Sequence, residues 1–193
     1  MFWWMNQLGS CFNYIRIRDG EHLYYSKRVF DFIIPAVLAF ITTVVHFGAA
    51  GMPSLFGEGG VLSGFRGLFE LLAPFFLAAL AAVATFGSPK LESSLRGNPA
   101  VLTVNTEYAG HSEDIQLTRR QFICYLFGYL CSTSLVILVL IILGDGFAGW
   151  IATLPSILLL QVPATFVCYF LLWHVLSITM LGIYFLTDRI HAD

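Results

Sequence analysis

Four long apolar stretches, 29–50, 67–86, 122–143 and 162–186, take up nearly half of the 193 residues. About 20 residues in a helix, at about 1.5 Å rise each, match the hydrocarbon core of a bilayer. Lipid offers no hydrogen bonds to backbone groups, so runs of this kind close their own bonds as helices. The sequence therefore predicts an all-α, polytopic membrane protein with four transmembrane helices. Charged residues make up only 11% of the chain, against roughly 25% in soluble domains, so no large soluble domain remains. A net charge of −2 without a dense basic block argues against direct nucleic-acid binding by this chain.

Lysine and arginine set the orientation. Arg16, Arg18, Lys27 and Arg28 precede the first span, Lys90, Arg96, Arg119 and Arg120 lie between the second and third, and Arg189 follows the fourth. The connections 51–65 and 144–161 contain none. By the positive-inside rule both termini face the cytoplasm. The chain divides into an N-terminal segment (1–28), spans one and two with a glycine-rich outer loop (29–86), a cytoplasmic loop (87–121), spans three and four (122–187) and a short tail (188–193). The N-terminal segment lacks the order and cleavage site of a secretory signal. Its Trp3, Trp4, Phe12 and Tyr14, with Tyr24 and Tyr25, suit the headgroup layer of the inner leaflet.

In the cytoplasmic loop a short helix is expected first, then a strand or extended docking segment over 101–108, where apolar and polar residues alternate. Thr118 and Gln121 have capping-box spacing and should start the third helix. Such a loop is too small for its own core and should pack on the rest of the protein or on a partner. Lys90, Arg96, Arg119 and Arg120 are its candidate docking residues. The stretch 147–161, with Pro155 inside it and Pro163 beyond, reads as an outer interfacial segment or a kinked entry to span four. Pro35, Pro74, Pro155 and Pro163 are candidate hinges.

Ionisable groups at membrane depth cost at least ~2.5–3.5 kcal/mol near the bilayer centre, so each needs a partner or a purpose. Asp31 falls in the first turn of span one, where the helix dipole and nearby Lys27 and Arg28 favour a carboxylate. Arg66 and Glu70, one turn apart, mark the outer entrance of span two. Glu70 has three readings: a local pair with Arg66, a contact between helices or subunits with His46 or Asp145 as a further partner, or the lining of a pore. With Glu58 of the outer loop, His46, Arg66 and Glu70 are the candidate sensing or interface residues. Gln161 and His174 are the intramembrane polar candidates. His174, counted to mid-membrane, should be a neutral hydrogen-bonding histidine, since a proton relay needs a carboxylate that the middle of the bilayer does not offer.

The five histidines fall on different segments, and no nucleophile, base and orienter share a motif. No catalytic residue, metal site or cofactor is expected. Cys11, Cys124, Cys131 and Cys168 have no CxxC spacing and read as small buried hydrophobes.

Four spans with both ends inside, an aromatic N-terminal segment and one mid-chain cytoplasmic loop resemble the membrane subunit of the Kiwa anti-phage defence system. The resemblance implies an inner-membrane sensor joined to a cytosolic DNA-binding protein. Under it the chain is a non-enzymatic homo-oligomer whose partners are the bilayer and that cytosolic protein. The alternative is a small oligomeric ion channel or pore with Glu70 setting cation preference.

Overall fold

The computed structural model describes residues 9, 11–17, 27–48, 55, 59–85, 87, 89–93, 100–105, 112–151 and 157–189. Glu58, Arg96 and Pro155 lie outside them, as do Trp3, Trp4, Tyr24 and Tyr25. Among the described residues four helices are long and apolar enough to cross a membrane, as the hydropathy pattern predicts. In chain order the elements are α1 (Asn13–Arg16), α2 (Ile34–Gly48, entered through a π-helical turn, Val29–Ile33), α3 (Val61–Thr85), α4 (Pro89–Glu92), β1 (Val101–Asn105), β2 (Ser112–Gln116), α5 (Arg119–Ile151) and α6 (Ile157–Tyr184). A second π turn, Phe185–Arg189, follows α6.

Helix boundaries are where the sequence reading departs most from the structure. Gly59 takes the left-handed φ of 82°, and the turn it makes hands the chain into α3 at Val61, six residues before the expected start. The Ser63 hydroxyl closes that turn by donating to the Gly60 carbonyl at 2.8 Å. Helix α5 continues through Gly144, Asp145 and Gly146, residues assigned from sequence to an outer connection. Two interior glycines cost only about 1 kcal/mol each relative to alanine, and the lipid-type surface resumes at exposed Phe147. Helix α6 starts at Ile157, so part of the expected interfacial stretch is helix, with Pro163 accommodated inside it. The capping box is present: the Thr118 N–H donates to Gln121 Oε1 (3.0 Å), and the Gln121 N–H donates to Thr118 Oγ1 (3.2 Å).

The expectation of an all-helical chain needs one correction. Of the segment expected to be extended over 101–108, Val101–Asn105 is strand and has an antiparallel partner in β2, in a register running from Val101 opposite Gln116 to Asn105 opposite Ser112. The sequence of β2, SEDIQ, is too polar to signal a strand by itself. The loop is tied to the base of α5 through α4, just beyond which the Ser93 carbonyl accepts from the Arg119 N–H (3.1 Å), and β1 lies against α1. The Leu117 N–H donates to the Ala100 carbonyl (2.9 Å), Arg120 pairs with Glu92 of α4 (2.8 Å), and Leu91, Leu102 and Leu117 are buried in the main core.

The spans form two pairs, α3 along α5 and α2 along α6, joined where α5 meets α6. Phe69, Phe76, Leu126, Phe127, Leu130, Val175 and Ile178 fill the centre, while the outward faces carry residues such as Phe40, Val45, Leu71 and Met180. Those faces suit lipid, where an apolar surface loses nothing by exposure. Helices α5 and α6 pack tightly at Gly182, where an added Cβ would stand 2.9 Å from Leu126 Cδ2 and 3.6 Å from the Phe127 ring. Gly182→Leu should therefore wedge the two pairs apart and destabilise the protein by about 1–3 kcal/mol. Gly128→Ala, with open space around its Cβ position, should be close to neutral. Thermal unfolding in detergent micelles checks this, and equal melting points for the two variants would contradict the packing described.

Candidate functional site

The strongest concentration of buried polar groups lies at the start of α2. Asp31 and Lys27 are 2% and 7% exposed, and their side chains pair at 2.7 Å, Nζ to Oδ2. One turn on, Pro35 has no N–H, so the Asp31 carbonyl lacks the donor it would have in a regular helix. The local turn widens into a π geometry, with the Ile34 N–H donating to the Val29 carbonyl. The freed Asp31 carbonyl accepts instead from His174 Nδ1 on α6 at 2.6 Å. A carbonyl can only accept, so Nδ1 carries the proton. In the neutral ring Nε2 then accepts from the Tyr129 hydroxyl on α5, also at 2.6 Å.

The short helix α1 completes the cluster. Tyr14 is fully buried, its ring stacked on Tyr129 at 5.2 Å and tilted against Phe122. The Tyr14 hydroxyl donates to Asp31 Oδ1 (3.2 Å), Lys27 donates to the Tyr14 carbonyl (2.7 Å), and the ammonium lies 3.8 Å from the Tyr14 ring centroid. Burial, reinforced by the Asp31 carboxylate, holds the Tyr14 phenol well above its usual range, so it remains a neutral donor. Both Asp31 oxygens and its carbonyl thus have partners, and these come from α1, the approach to α2, and α6.

Comparison with protein-family models, with characterised proteins and with solved structures returns no match. The function has to be argued from the geometry.

The sequence candidates separate into three groups. His174 is in the cluster, set against the first turn of α2 rather than alone in mid-span, and a carboxylate residue does stand beside it. Arg66 and Glu70 form the local pair, Nε to Oε1 at 2.8 Å, with side chains 49% and 54% exposed. The Asp145 Oδ1 is buried and, among the described residues, has no hydrogen-bond partner. His46 is not in contact with that pair: its Nδ1 meets the Tyr169 hydroxyl (3.2 Å), and Tyr169 packs edge-on against Phe65. Gln161 is half-buried near the start of α6, its carbonyl accepting from Thr165 (2.8 Å). Of the cytoplasmic candidates, Lys90 lies in α4, Arg119 is buried and Arg120 is bound to Glu92.

Tyr14, Lys27 and Tyr129 were not singled out by sequence as parts of a site. Tyr14 suited a headgroup, and Lys27 served only as a local counter-charge. Two signals were present: a tyrosine and a histidine in separate apolar spans, each in need of a partner, and the Asp31–Pro35 spacing that frees a carbonyl.

Removing one member of a buried ion pair strands the other. Asp31→Asn should cost about 3–5 kcal/mol, whereas Lys27→Met combined with Asp31→Leu should cost less than Asp31→Asn alone. Additive single and double effects in unfolding experiments would show that the pair is not coupled. Linkage gives Tyr14 a pH signature. An unfolded phenol ionises near 10, and the folded one higher. The Tyr14 contribution is thus fully present below pH ~10 and is lost as pH rises from there through the folded value. Tyr14→Phe should flatten this alkaline loss of stability relative to the parent.

Proposed function

We propose that this chain is a non-enzymatic sensor and scaffold subunit of a bacterial inner membrane, acting in an anti-phage defence complex and signalling to a cytosolic nucleic-acid-binding protein. The reading draws on the resemblance to the Kiwa membrane subunit. The observation that carries it is the Asp31 junction. A displacement of α2 relative to α6 strains the His174–Asp31 bond, and the same aspartate holds Lys27 and Tyr14 of the N-terminal segment. In this reading the loop tied to the base of α5 is the second surface offered to the partner. Motion within the spans therefore has a short route to segments that a soluble protein can touch.

The test is capture of a cytosolic nucleic-acid-binding protein by the tagged full-length chain, together with protection against phage in plating assays. Tyr14→Ala should leave the four-helix body in the membrane but reduce protection at least tenfold, by uncoupling the N-terminal segment. Partner capture that survives deletion of both 90–118 and 1–17 would refute the docking assignment. The half-exposed Glu70 favours the competing reading of an oligomeric pore. That reading predicts bilayer conductance altered by Glu70→Gln, and a silent reconstituted protein argues for the sensor.

A further inference from the structure

We infer that the outer part of α3 binds a second copy of this chain through the Arg66–Glu70 pair, each arginine reaching the partner's glutamate as well as its own. The inference gives a surface to the homo-oligomer that the resemblance implies, and it does not depend on the defence role.

Depth is the first argument. His46, in the last turn of α2, meets Tyr169, and Tyr169 meets Phe65. Arg66 thus stands level with the outer end of the first span, and Glu70 is one turn, about 6 Å, further in. The arginine can extend to the headgroups, but the shorter glutamate cannot.

Satisfaction is the second. Both side chains are about half exposed on the outward face of the protomer, and a single bond joins them. Arginine has five N–H donors, and a carboxylate readily accepts several hydrogen bonds. Glu70 Oε2 and most of the guanidinium N–H groups therefore have capacity for further bonds, and at the depth of Glu70 the lipid chains supply none. Arginine before glutamate is also the weaker i, i+4 order, so helix stability does not account for the pair.

Charge complementarity is the third argument, and it selects the occupant. A surface carrying one positive and one negative group a turn apart is matched by a copy of itself. When two copies meet, two arginines and two glutamates alternate in a closed neutral set, each group gaining a second partner. The backbone can come close: Gly64 and Gly67 on this stretch are exposed, with nothing within 4 Å of where a Cβ would lie. A zwitterionic lipid headgroup also carries both charges, and it is the occupant if the charge variants below leave co-purification unchanged.

The experiment uses two differently tagged full-length copies expressed together without phage or cytosolic partner, extracted in mild detergent and purified through one tag. Parent copies should co-purify. Arg66→Glu in both copies, or Glu70→Arg in both, sets like charges against each other and should reduce co-purification at least fivefold. Arg66→Glu in one copy with Glu70→Arg in the other restores neutrality and should recover most of it, which also shows that both variants fold. Because Arg66→Glu also turns the local pair with Glu70 into two like charges, Arg66→Gln opposite Glu70→Arg serves as a second mixed pair and should recover part of the loss. Equal co-purification in all combinations, or none with the parent copies, overturns the inference. Loss in each single variant without recovery in either mixed pair overturns it too.

Discussion

A lysine and an aspartate buried together at the mouth of an apolar bundle set the terms for everything around them. Taking either charge out of water costs several kcal/mol, and only close pairing and full hydrogen bonding offset that cost. Lys27 and Asp31 meet both conditions by drawing in groups from distant parts of the chain. Pro35 adds a third acceptor, because the carbonyl it leaves unpaired must find a donor elsewhere. His174 is that donor, and its second nitrogen ties in Tyr129. One local irregularity in α2 thus fixes its rotation and height against α5 and α6.

That height has an architectural consequence. Val29–Gly48 is 20 residues long, and α5 has 33, so α5 is longer by about 20 Å. Asp31 lies opposite Tyr129 and His174, near the middle of α6, and not opposite Arg119 at the base of α5. Below the start of α2 the bundle has room for another element. Helix α1 fills it, with Tyr14 against Phe122 and Tyr129. The N-terminal segment is therefore part of the packed body, and its tyrosine acts as a core residue with a hydrogen-bonding tip.

How much of this the sequence disclosed depends on how local the cause was. The four spans follow from composition over windows of about 20 residues, and the Thr118–Gln121 cap and the Arg66–Glu70 pair follow from spacings of three and four; the structure has all of them. Boundaries set by a single backbone angle, as at Gly59, were misplaced, and Asp145 was assigned to a connection because the gain from continuing a helix outweighs two glycines only in context. The cluster was the least legible part. Its contacts join residues 17, 45 and 143 positions apart, and counting along one span gives no height relative to another. His174 was for that reason read as isolated from any carboxylate.

The two ionic pairs of the spans share an i, i+4 spacing and differ in everything else. Lys27–Asp31 is closed off within the chain, and nothing further can reach Asp31 without displacing Tyr14 or Lys27. Arg66–Glu70 is open, half exposed and joined by one bond. Folding accounts for the first pair, because without it α1 and α6 lose their common anchor. It does not account for the second, whose removal would leave the core of α3 and α5 untouched. A charged pair that folding does not need, on a face otherwise made for lipid, is best explained by what it meets outside the protomer.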